Sequence, residues 1–357
     1  MSRLEGGFQP ARITAQTFTG LWQSSLKILG RLFCIGLVLG LAAAVAASWA
    51  ILPLQNPRLA AASIVRISPG ASGSDIAALL KEQGIIRSEL AFSMAVRLLG
   101  LEQNLKAGYY QLSPGMDLLK VMKHLEAGQV ATVRVTIPEG LTLDAIADRL
   151  AAQGVVNRER FLTLVRDDSL IYGDNSPIEK PTRSLEGYLF PDTYVFALNQ
   201  PEEEVIKRMV HRFVQVVEPL KETASPPEGF TWHDIITLAS IIEKEVMVPW
   251  EAPLVSAVFW NRLRINMPLQ SDPTVQFILE EPRKLYYSDL ATDSPYNTYK
   301  YKGLPPGPIA SPGLNSLKAA LEPADVDYLY FVAKGDGTHA FSRTFQQHRQ
   351  ARARYGY

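Results

Sequence analysis

Val65–Ile86 reads VRISPGASGSDIAALLKEQGII, and Val135–Val156 reads VTIPEGLTLDAIADRLAAQGVV. At a constant offset of 70 residues the two share Val, Ile, Gly, Ile, Ala, Leu, Gln and Gly at corresponding places. Self-similarity at a fixed offset marks one structural unit used more than once. Each copy opens with a short strand pattern and turns at Pro or Gly. It continues with apolar residues at helical spacing and closes on a glycine, which suits the left-handed conformation that ends a helix. A looser third copy, Leu112–Gly128, reads LSPGMDLLKVMKHLEAG, and Gly108–Leu112 adds a strand carrying Tyr109 and Tyr110. Short strands joined to amphipathic helices predict an α+β fold. The first and third copies, Val65–Gln129, form a compact unit without paired acids or a nucleophile, which reads as a binding or spacing module.

Upstream, Leu32–Leu52 runs about 21 residues without a charge. As a helix that length crosses a hydrocarbon core of roughly 30 Å. Arg3, Arg12, Lys27 and Arg31 precede it against Glu5 alone, so the positive-inside rule puts the N-terminus in the cytoplasm and everything after Leu54 outside. The run is longer than a signal-peptide core and starts well inside the chain, so it reads as an uncleaved anchor. Trp22 and Trp49 suit the two interfaces. Gly36, Gly40 and Ala44 form a small-residue ridge of the kind that pairs helices, though an alanine-rich span with two glycines explains them as well.

Lysine plus arginine and aspartate plus glutamate balance at 36 each, which removes any global signal for nucleic acid or a polyanion. Cys34 is the single cysteine, so an intrachain disulfide and a cysteine zinc cluster are excluded. The five histidines form no tight ligand pair, and neither a metal site nor a cofactor is expected.

Downstream of Arg134 the chain changes character. Arg158–Arg166, Glu202–Val217 and Leu254–Arg264 have helical period, and Leu185–Phe196, LEGYLFPDTYVF, crowds aromatics around Glu186 and Asp192. Trp232–Glu245, WHDIITLASIIEKE, is the most informative helix. Leu238, Ile241 and Ile242 precede Glu245 by seven, four and three residues, so Glu245 continues their apolar stripe while Glu243 leaves it. A carboxyl on an apolar stripe has its pKa raised by burial and stays protonated for general-acid work. Glu245 is therefore the leading catalytic candidate. Glu243 is expected to be a solvated or salt-bridged surface acid, with a role in the groove as the alternative. Lys244 is expected to be solvated, and Pro249 should end the helix soon after the acid. Gln270–Gly313 is rich in Asn, Asp, Ser, Tyr, Pro and Gly, the make-up of a saccharide groove and equally of a long ordered loop. Gln270, Tyr296, Asn297 and Tyr299 are the expected sugar contacts. Glu186 and Asp192 are candidates for binding sugar or orienting Glu245, and equally for forming turns or capping helices. Asp272 is a helix cap or a second acid. Tyr328–Val332 and His339–Ser342 read as a hairpin. His339 and Ser342 lack an evident acid partner, which weakens a Ser–His hydrolase.

LEGYLFPDTY, ASIIEKE, NRLRINMPLQSDPTVQF, SPYNTY, GLPPGPIASPG, YLYFVA and HAFS occur here in an order that resembles the endolytic murein transglycosylases of the MltG (YceG-like) family. The resemblance covers the anchor and essentially all of Ile64–His348. It implies a cytoplasmic segment at 1–27, a membrane helix at 28–54, a linker at 55–63, a LysM-like subdomain at 64–132 and a catalytic domain at 133–357, with a substrate groove. The family's catalytic glutamate is the second of the EKE motif, which falls on Glu245. The implied reaction cleaves the MurNAc–GlcNAc bond within nascent peptidoglycan strands without water and leaves 1,6-anhydro-MurNAc ends. The implied location is the inner (plasma) membrane, single-pass, with peptidoglycan synthases as partners. A non-catalytic wall-binding scaffold, or a hydrolytic muramidase pairing Glu245 with Asp272 or Asp192, stands as the alternative. The departure from the family pattern is Val246–Trp250, which replaces a more polar segment.

Overall fold

The structure is a computed structural model. It describes residues 15–56, 60–198, 200–279 and 283–356, with side chains from residue 31 onward. Arg3, Glu5, Arg12 and the side chains of Trp22 and Lys27, on which orientation and one interface were read, lie outside that description.

Helix α1 runs Ala15–Ile51. It begins well before residue 28 and stops short of residue 54. Its end fits Pro53, which disfavours helical backbone at the residue before it. Arg31–Ile51 is long and apolar enough to cross a membrane, with mean hydropathy 2.2 and no part of that window buried in the protein. Leu37, Leu41 and Val45 are each 60% or more exposed.

The chain divides between Val130 and Ala131 into two compact units. The first contains β1 (Ser63–Ile67), α2 (Gly73–Glu82), α3 (Glu89–Leu98), β2 (Gly108–Leu112) and α4 (Leu118–Ala127). Strands β1 and β2 pair antiparallel from Ser63↔Leu112 to Ile67↔Gly108. Leu80, Phe92, Tyr110 and Leu125 form the centre of its own core.

The second unit opens with the same sequence of elements: β3 (Thr132–Thr136), α5 (Leu143–Ala152), α6 (Arg158–Arg166), a short α7 (Ser169–Tyr172) and β4 (Thr193–Ala197). Strands β3 and β4 pair antiparallel from Thr132↔Ala197 to Thr136↔Thr193. The repeat is thus a strand–helix–helix–strand unit, longer than the 22-residue stretch in which the matches fall. Gly84 and Gly154 close the first helix of each copy at the same φ of +67°, as Gly128 closes α4. That is the conformation for which a glycine is required.

Helix α8 (Glu202–Thr223) follows, running past the expected Val217 and through Pro219. Then come α9 (Trp232–Glu245), α10 (Ala252–Arg264), α11 (Asp272–Gln276), α12 (Leu314–Leu321), the β5 (Tyr330–Ala333)–β6 (His339–Ser342) hairpin and α13 (Phe345–Tyr355). Thr231 and Asp234 form a capping box at the start of α9. Every residue from Ile235 to Ile242 is buried, so α9 is a core helix enclosed on all sides rather than one with a single apolar stripe. Helices α10, α11 and α12 pack around it.

The Gly303–Gly313 segment is a strap along α9 and not an open sugar-binding loop. His233 Nε2 pairs with Pro306 O at 2.8 Å, Ile309 N–H donates to Ser240 Oγ at 3.0 Å, and Gly313 N–H donates to Glu243 Oε2 at 3.0 Å. Ser311 also exchanges backbone bonds with Gly140 and Leu141 at the turn of the second repeat copy. Prolines restrict the backbone of this segment, and burial of Ile309 and Ala310 holds it down.

Candidate active site

Glu245 is the last residue of α9, because Val246 takes extended backbone and Pro249 opens a separate turn. This ending delivers its carboxyl to the loops that follow α10. Glu245 is half-buried, and its Oε1 accepts a hydrogen bond from Ser271 Oγ at 2.5 Å. Its Oε2 has no partner among the described residues and is not sealed from solvent.

The loop carrying Ser271 is tightly held. Ser271 N–H donates to Thr298 Oγ1 at 3.0 Å, Gln270 N–H to Thr298 O at 3.1 Å, and Thr274 Oγ1 to Ser271 O at 2.7 Å. The QSDPT and SPYNTY segments are thereby fastened together. Gln270 has φ of +50°, an uncommon conformation for a residue with a Cβ and one that clusters at functional sites. Asp272 does not cap α11. Its Oδ1 accepts from Tyr299 Oη at 2.5 Å, and it remains exposed.

Burial pushes the Glu245 carboxyl up to about 7, and the nearby Asp272 charge adds to the rise; the Ser271 hydrogen bond and the Arg262 guanidinium act against it. Arg262 is itself buried, donating to Leu269 O and Leu329 O at 2.7 Å each. Such a carboxyl is half-protonated near neutral pH and can give a proton or take one. Burial and the Asp272 hydrogen bond push the Tyr299 phenol well above its usual value.

Glu245, Gln270, Asp272 and Tyr299 are thus brought together. Tyr296 stands beside Phe277, with ring centroids 5.0 Å apart. Asn297, expected as a sugar contact, faces inward instead. It is fully buried and braces its loop, donating to Leu290 O and Thr292 O and accepting from Tyr299 N–H. Glu186 accepts from Leu143 N–H at the start of α5, while its Oε1 is buried with no partner among the described residues. Burial pushes it up to about 8. Asp192 is bound by Arg212 of α8 at 2.7 Å, at the end of the β3–β4 pair, and no bond links it to Glu245.

Glu243 is not a solvated acid but holds the strap at Gly313. Lys244 is exposed and donates to Gly140 O at 3.1 Å. His339 does have an acid partner. Its Nδ1 lies 2.7 Å from Glu251 Oε2, and Glu251 is fully buried. His339 and Ser342 are not bonded to each other, so no Ser–His pair forms. Among the described residues no group of three or more His, Cys, Asp or Glu could hold a metal.

Sequence reasoning missed Ser271 and Arg262 as neighbours of the acid, since contacts across 26 and 17 positions leave no periodic signal. Within Val246–Trp250, the segment noted as departing from the family pattern, Met247 and Trp250 are 79% and 63% exposed just beyond Glu245. A cavity of about 600 Å³, lined by Phe213, Phe230, Trp232 and Ile236, belongs to the opposite end of α9. Twelve residues of helix, roughly 18 Å at about 1.5 Å each, separate His233 from Glu245.

The architecture is that of an α+β protein with one N-terminal apolar helix and a half-buried carboxyl at the end of a core helix. The model of the YceG-like family matches residues 65–354, and the chain belongs to that family. The endolytic murein transglycosylase of Bacillus subtilis is 37% identical over 309 residues, covering 82% of this chain and 84% of that protein. The endolytic murein transglycosylase of Streptococcus pneumoniae D39 is 32% identical over 300 residues, covering 75% of this chain but only 54% of that longer protein. The crystal structure of a YceG-like protein from Listeria monocytogenes aligns with a TM-score of 0.55 at 38% identity, covering 82% of this chain and 99% of that one.

Proposed function

We propose that the protein is a membrane-anchored endolytic lytic transglycosylase that cuts the MurNAc–GlcNAc bond within nascent peptidoglycan strands. Glu245 acts first as acid and then as base. The observation that carries this reading is a carboxyl lifted to about 7, with one oxygen hydrogen-bonded and the other open. The Glu245 proton passes to the glycosidic oxygen as the C1–O bond breaks and its electron pair leaves with that oxygen. The C6 hydroxyl of the same MurNAc forms the new bond to C1 and returns its proton to Glu245. The product ends in 1,6-anhydro-MurNAc, and no water is consumed. One carboxyl suffices for this sequence, whereas glycoside hydrolases usually employ two.

Gln270 and Tyr299, with Tyr296 behind them, are proposed to meet the glycan, and exposed Trp250 offers an aromatic face at the rim. Helix α1 is the anchor, with its N-terminus in the cytoplasm and both units outside. The strand–helix–helix–strand unit within 64–132 takes the LysM-like role of holding glycan, and synthases that extend the strand are the partners that would supply substrate.

Digestion of purified peptidoglycan followed by mass spectrometry tests the reaction. Anhydro-ended fragments from the wild type, and none from Glu245→Gln, are expected. Fragments heavier by one water would instead support a hydrolase, for which exposed Asp272 is the available second carboxylate. Glycan binding without any cleavage by the wild type would leave the scaffold reading.

A further inference from the structure

We propose that Ser271 is a positioning residue that fixes the working proton of Glu245 on Oε2, by donating its own hydroxyl proton to Oε1. This rests on the acid role proposed for Glu245. The hydrogen bond is short, at 2.5 Å, and Ser271 is 1% exposed. Among the described residues Glu245 is the only acceptor within reach of that hydroxyl. A proton on Oε1 would have to point at Ser271 and would leave the buried serine hydrogen without an acceptor, an arrangement that burial penalises. The proton therefore belongs on Oε2, the oxygen that is open.

Three features commit Ser271 to this task. It occupies the position before α11 at which a serine ordinarily caps the helix, yet its side chain makes no capping bond. Its backbone is fixed by Thr298 Oγ1 on one side and Thr274 Oγ1 on the other. The residue before it, Gln270, is held at positive φ, which turns the chain so that the hydroxyl faces α9. Asp272, the next acid in sequence, takes the Tyr299 hydroxyl on Oδ1 at 2.5 Å and makes no bond with the Ser271 hydroxyl. When Glu245 has given up its proton, the same donation stabilises the carboxylate that must take the next proton from the sugar hydroxyl. One serine thus serves both halves of the cycle without transferring a proton itself.

The test is Ser271→Ala, with Ser271→Thr as the variant that keeps the hydroxyl. Turnover of peptidoglycan should fall roughly 10- to 100-fold in Ser271→Ala, the worth of one hydrogen bond to a charged group, mainly in kcat. The high-pH limb of the rate profile should move to higher pH, because the lost donation favoured the carboxylate. Ser271→Thr should restore both. A limb that stays in place, or a loss confined to KM, would overturn the proposal. A carbon-13 NMR titration of the Glu245 carboxyl, assigned with Glu245→Gln, reads the same effect without activity. Its midpoint should rise in Ser271→Ala, and an unchanged midpoint overturns the proposal even if cleavage is lost. If the wild type makes no anhydro ends, the function reading fails while this titration still decides the role of Ser271. Ser271→Cys, a close match in shape with a weak donor, replaces the alanine variant if the latter does not fold.

Discussion

Glu245 and Glu186 are both carboxyls raised by burial, and their surroundings give them different uses. Glu245 has an open oxygen and a serine on the other. Glu186 has one oxygen on a backbone N–H and the other sealed without a partner. On the proposed mechanism cleavage should therefore decline as pH rises through about 7, where Glu245 loses the proton assigned to it there. An initial-rate profile across neutral pH checks this, and Glu245→Gln should remove at least about 100-fold of the rate at every pH. Glu186 matters to stability instead. Its folded value of about 8 lies above the ordinary 4.5, so the folded state holds the proton more tightly than the unfolded chain. The stability it contributes is fully present below about pH 4.5 and is lost as pH rises through about 8. Thermal melts of Glu186→Gln over that window should depend less on pH than those of the wild type.

Among the elements, α9 and its strap determine where the acid sits. A helix buried over Ile235–Ile242 cannot rotate to relocate Glu245, and Ser240 and Glu243 hold the strap that covers it. Gly187 shows how closely a second loop approaches the strap. Its φ is +83°, and a Cβ there would lie 2.3 Å from Pro308 Cβ. A proline ring has little freedom to yield. Gly187→Ala should cost about 1–3 kcal/mol of stability, from overpacking and backbone strain together, measurable as a lower urea midpoint. The elements were unevenly legible. The repeat predicted strands, helices and closing glycines in both units, and the periods of α6 and α9 marked their extents. By composition the strap left a saccharide groove and a long ordered loop equally open. Its burial comes from bonds to residues some 70 positions away, and no local pattern records such partners.

For the molecule as a whole, α1 has no place in either core. Its apolar side chains face outward over Arg31–Ile51, and exposed apolar surface of that extent is stable only in lipid or detergent. The full chain should co-float with phospholipid vesicles on a density gradient, and a chain beginning at Ala60 should remain in the soluble fraction without detergent. Two separate cores, one around Tyr110 and one around α9, make that truncation compatible with folding of both units.

Local order determined a good deal of this protein by itself. A continuous charge-free run gave the membrane-length helix, and the spacing of apolar residues gave the repeated strand–helix unit and the helix ending on Glu245, because these depend on run length and on periods of two to four residues. Seven ordered motifs gave the family. Only the tertiary structure decided that Ser271 rather than a carboxylate touches Glu245, that Asn297 is a brace, and that Glu243 and His339 are bound within the fold. Those outcomes depend on which distant segments meet, and that is set by the packing of whole helices around α9.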